Sequence, residues 1–139
     1  MFRKKLFLER FYLNIKEVIE MKETTEEKLK VLNRLGKLDQ DSFEFLMDVD
    51  AYFETNYYSN DNEMLLIHLS VAINRMFENK RVDKMPDDLW QQISDKPEYK
   101  VAESVWDDLK SKAPVTFTYD ETQYILLHVL NILRRNQND

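Results

Sequence analysis

The run NEMLLIHLSVAINRM, residues 62–76, decides how this chain reads. Leu65, Leu69, Ile73 and Met76 recur at three- and four-residue intervals, the spacing of an α-helix with one buried stripe. A histidine, His68, interrupts the apolar run. A second run, DETQYILLHVLNILRR, residues 120–135, repeats the arrangement, with Ile125, Val129 and Leu133 in the matching positions around His128. These two histidines are the only ones in the chain. On a wheel of about 100° per residue, each sits at the margin of its stripe. Seven residues before each is an acid, Asp61 and Glu121; seven after each is an arginine, Arg75 and Arg135.

The rest of the chain extends the helical reading. One glycine and three prolines among 139 residues are too few breakers for a turn-rich β fold. Val, Ile and Thr form no alternating runs, so the fold class is all-α. Asp41 or Ser42 starts a helix whose stripe is Phe43, Leu46, Met47, Asp50 and Phe53, and NYYSNDN breaks it. The first histidine helix runs from about Asp61 to Phe77. Pro86 fits the first turn of a short helix through Leu89 and Trp90. Pro97 opens another, with Tyr99, Ala102, Val105, Trp106 and Leu109 inward. Thr118 and Glu121 form a capping box for the last helix, which runs to about Arg135.

Upstream, Thr24 and Glu27 form another capping box, and Gly36 suits the residue after a helix end. We divide the chain into an N-terminal helical arm, residues 1–37, and a helical bundle, residues 38–139. Residues 1–22 are locally basic, with six Lys and Arg against three Glu. The acids interrupt the basic face, so the arm reads as a packing helix and not as an anchor for lipid or nucleic acid.

Several function classes are disfavoured. A net charge of −6 gives no global attraction to nucleic acid or an anionic membrane. The absence of cysteine removes disulfides, thiolate metal sites and cysteine nucleophiles. In MFRKKLFLER, Glu9 and Arg10 cut the apolar run too early for a signal peptide. No apolar segment is long enough to span a bilayer. The expected location is the cytoplasm. Neither histidine helix carries the i, i+4 pair of a zinc protease, so no metal is expected. No nucleophile motif, phosphate cradle or cofactor fingerprint accompanies the histidines. Asp107, Asp108 and Glu121 form no local ligand cluster. We expect neither an enzyme nor a bound cofactor.

Two readings remain for the histidines. Core-edge histidines are often satisfied structural groups, and an acid near a helix start with an arginine near its end complements the macrodipole. The functional reading is phosphoryl acceptance. A neutral imidazole is nucleophilic near pH 7, a margin position lets a donor protein approach, and a guanidinium can pair with the added dianion. Arg75 and Arg135 are candidates for that pairing; Asp61 and Glu121 are candidates for orienting the rings. Two turns of helix separate these groups by roughly 10 Å, so partners must come from another helix or another subunit.

At this point the chain resembles the PTS-regulation domain, or PRD, of bacterial sugar-responsive transcription regulators. The carrying residues are HLSVAINRM from His68 through Arg75, DETQYILLHVLNIL around His128, and KPEYKVAESVWDDL between them. The resemblance covers roughly residues 38–135. It implies a compact bundle of about five helices that forms a homodimer, with His68 and His128 as phosphorylation sites. It implies a phosphoryl donor, either the histidine-containing phosphocarrier protein or an enzyme II permease component. Phosphorylation in the family shifts dimer packing and switches an attached nucleic-acid-binding module.

The chain departs from the pattern at Gln123, where the family usually has a small residue before the aromatic Tyr124. The N-terminal arm is too short, and too acidic after residue 22, to supply an effector module, so the chain resembles the stand-alone PRD proteins. Its expected function is carbohydrate-responsive transcription regulation through protein–protein contacts, without direct contact to nucleic acid or membrane. The alternative is a helical adaptor that keeps the fold without being phosphorylated.

Overall fold

The computed structural model describes residues 38–57 and 62–137. The arm, residues 1–37, and Asp61 therefore lie outside the described residues. Among those described there are five helices and no strand: α1 Gln40–Tyr57, α2 Glu63–Phe77, α3 Asp87–Ser94, α4 Tyr99–Lys110 and α5 Tyr119–Gln137.

Local chemistry sets the helix ends. The first helix starts before Asp41: Asp39 accepts a hydrogen bond from the Ser42 N–H at 2.7 Å, the geometry of an N-cap. α2 closes on Asn79, at φ 57°. There the Lys80 N–H reaches the Arg75 carbonyl and the Asn79 N–H reaches that of Met76. This left-handed closure favours Gly or Asn because larger side chains clash in it. Pro86 stands at the N-cap of α3, just outside the first turn, where its missing N–H costs nothing.

α5 is the hub. It packs against α2, α3 and α4, while α1 packs against α2. Phe45, Leu46 and Phe53 of α1 meet Leu65, Leu69 and Ile73 of α2 in one core, which continues through Ile125, Val129 and Leu133 of α5 to Trp106 and Leu109 of α4. The stripes beside both histidines are thus buried. Met76, at the end of the first, is only half-buried.

Two cross-helix contacts give the directions. Arg75, near the end of α2, meets Glu121, near the start of α5. Glu98, at the start of α4, meets Arg134, near the end of α5, at 3.1 Å. Both pairs run antiparallel, so the centres of α2 and α5 lie side by side.

Candidate functional site

The antiparallel register explains the doubled acid–histidine–arginine spacing. Seven residues forward on α2 matches seven residues back on α5. Where His68 faces His128, Arg75 must therefore face Glu121. The two imidazole rings lie 4.9 Å apart between centroids, inclined at 40°. Both histidines are partly exposed, with the His68 side chain at 16%.

Glu121 is fully buried. Its carboxylate accepts two hydrogen bonds from the Arg75 guanidinium, 2.6 Å from Nε and 3.1 Å from Nη2. Such a fork fixes orientation as well as charge. The His68 Nε2 stands 3.6 Å from the same carboxylate, an ion-pair distance too long for a hydrogen bond. Burial pushes the Glu121 carboxyl up, but its polar partners outweigh burial and hold it at about 2. His68 and Arg75 both contribute to that stabilisation.

The capping box at Thr118 forms by half. The Glu121 N–H donates to Thr118 Oγ1 at 3.3 Å, while the Glu121 side chain turns to Arg75. The forked, charge-assisted bonds to a guanidinium outcompete a single backbone N–H for a carboxylate.

His128 lies deeper in electrostatic terms. Burial, followed by the charges of His68 and Arg135, pushes it down to about 4. It is therefore neutral at pH 7. Arg135 and His128 line one small cleft with Met64 and Asn131, of about 200 Å³. Glu121 thus serves the histidine and arginine of α2 and neither of its own helix. Asp61, the acid seven residues before His68, lies outside the described residues.

Two side-chain contacts between elements are not legible in the sequence. The Tyr124 ring stands 6.1 Å from that of His68, and its hydroxyl donates to the Asp83 carbonyl at 3.0 Å. Asp50 is buried on α1 and accepts a hydrogen bond from Asn62 Nδ2 at 2.6 Å. Among the described residues no group of three or more His, Asp or Glu is arranged to hold a metal ion, and no helix is long and apolar enough to cross a membrane.

The family model of the PRD domain matches residues 43–132, which include both histidines, Arg75 and Glu121. The chain belongs to the PRD family. Over 74 residues this PRD is 38% identical to the probable licABCH operon regulator of Bacillus subtilis (strain 168). That match takes in 53% of the chain and 11% of the relative's length. No solved structure matches the chain. PRD membership points to regulation and not to catalysis.

Proposed function

We propose that this PRD is a regulatory module of the bacterial phosphotransferase system, phosphorylated on His68 or His128, that acts in carbohydrate-responsive transcription control through protein contacts. The observation that carries the reading is the pair of partly exposed imidazoles at 4.9 Å, with Arg75 sharing the Glu121 carboxylate with His68 and Arg135 lining the cleft of His128. A neutral ring nitrogen of His128 has a lone pair for an incoming phosphoryl group. In the transfer, the phosphorus–nitrogen or phosphorus–sulfur bond to the donor breaks as a phosphorus–nitrogen bond to the acceptor ring forms. The donor is a phosphocarrier protein or an enzyme II component, itself phosphorylated on histidine or cysteine. The PRD of the operon regulator is a relative by sequence, and the same kind of control is the reading it supports. A cytoplasmic homodimer without direct nucleic-acid contact completes the proposal.

The test is incubation of the chain with enzyme I, the phosphocarrier protein, permease components and labelled phosphoenolpyruvate. We expect acid-labile, alkali-stable label that is lost in His68→Ala or His128→Ala. A chain that stays unlabelled with every donor defeats the phosphorylation reading.

One observation favours a second reading. Arg75 is already committed to Glu121, so its guanidinium is not free to receive an anion. In that case the PRD is a helical adaptor whose histidines are structural. It would remain unlabelled and still form a dimer or bind a partner protein.

A further inference from the structure

On the face of α5 away from the histidines lies a half-open cavity of about 460 Å³. Its volume is that of a small-molecule site. It is walled by two aromatic groups. In the first, Trp90 meets Tyr99 edge-on at 5.6 Å and Tyr119 at 6.4 Å. In the second, Trp106 and Phe117 lie 5.6 Å apart. All five rings line the same space.

Charged and polar groups on the lining choose among ligands. Glu103, Asp107 and Lys110 stand on α4. Lys110 is paired with Asp107 at 2.8 Å, which leaves the cavity with one net negative charge, on Glu103. Burial, with the adjacent Glu103 carboxylate and its hydrogen bond, pushes the Tyr99 hydroxyl up to about 12. Tyr99 thus stays protonated, donates to Glu103 and adds no charge of its own. Gln123, 4% exposed, also lines the cavity. Its Nε2 donates to the Tyr119 hydroxyl at 3.2 Å, while its Oε1 is buried without a hydrogen-bond partner. A buried acceptor left unpaired is costly, and a donor brought by a ligand relieves that cost.

We propose that this cavity binds a small organic ammonium ion with an apolar body. Ring faces attract a cation through their quadrupoles, and a carboxylate beside them adds to that attraction. The unpartnered Gln123 oxygen calls for a hydrogen-bond donor, which a primary ammonium supplies and a quaternary one lacks. The site is separate from the histidine cluster and does not depend on that cluster being phosphorylated.

The test uses the full chain and 2-phenylethylammonium, followed by the fluorescence of Trp90 and Trp106. These are the only tryptophans in the chain, and both line the cavity. We expect a saturable change with 2-phenylethylammonium and a Kd about tenfold weaker for its neutral counterpart, 2-phenylethanol. Glu103 is exposed, so Glu103→Gln should fold normally and weaken amine binding about tenfold. Lys110→Gln removes the competing cation and should tighten it. Three results would each overturn the proposal: no saturable response to the amine, equal affinity for the amine and the alcohol, or amine affinity unchanged in Glu103→Gln. Preference for a neutral methyl glucoside over the amine would likewise overturn it, by assigning the cavity to polyols.

Discussion

At the scale of residues, the chemistry concentrates in four side chains that answer one another across two helices. His128 and Glu121 both make the fold sensitive to acid, in overlapping pH ranges. The folded-state value of His128 is about 4 against 6.5 ordinarily, so the unfolded chain binds the extra proton. Stability from this group is complete above pH 6.5 and is lost as pH falls toward 4. Glu121 sits at about 2 against 4.5, so its contribution is complete above pH 4.5 and is lost as pH falls toward 2. Urea midpoints should therefore decline from pH 7 to pH 4, by about 2–4 kcal/mol from His128 alone. A His128→Leu variant should flatten that limb and keep the steeper loss below pH 4.5. The Arg75–Glu121 fork makes an asymmetric prediction. Arg75→Ala strands a fully buried carboxylate and should cost about 3–5 kcal/mol. Glu121→Gln leaves a guanidinium with some access to water and should cost about 1–3 kcal/mol. Chemical unfolding of both variants and of Arg75→Ala combined with Glu121→Gln closes the cycle; equal single costs would contradict this account.

At the scale of elements, α1 is held to α2 by hydrocarbon and by a buried polar link between Asp50 and Asn62. Asn62 occupies the N-cap position of α2 and makes no side-chain cap hydrogen bond. Its amide serves Asp50 of α1 instead. Asn62→Ala should cost about 1.5–3 kcal/mol in thermal or urea unfolding, more than an exposed cap would. The helices and their inner faces are legible in the sequence because the period of the apolar residues is a local property. The wheel even puts Asp50 on the buried stripe, which demands a partner for it. That the partner is Asn62 depends on how two helices meet, which no local pattern contains. The same limit applies to Glu121. Spacing marks it as an acid before a histidine helix, and capping chemistry claims its side chain, but the antiparallel register of α2 and α5 hands it to Arg75. The aromatic cavity escapes for a related reason: Tyr99 and Trp106 read as inward-facing, while Trp90, Phe117 and Tyr119 come from other segments. Only the packing of α3, α4 and the α4–α5 connection around α5 assembles them.

At the scale of the whole molecule, the proposed switch is an equilibrium between packings of the dimer. One new charge-assisted contact to a phosphoryl group contributes roughly 1.5–3 kcal/mol, about one to two decades in that equilibrium. This is enough to shift an association constant and too little to unfold a domain. Sedimentation of the phosphorylated and unmodified chains should show a shift of that size. His68→Asp, shorter and less charged, should reproduce only part of it; a complete shift from that variant would contradict the magnitude. Glu121 and Gln123 are two residues apart on α5, about 200° around its axis, and face different neighbours. A stiff rod cannot roll on one side and stay still on the other. An occupant that prefers one roll angle from the aromatic side is bound, by thermodynamic reciprocity, to feel whatever turns the rod from the imidazole side, and by the same factor.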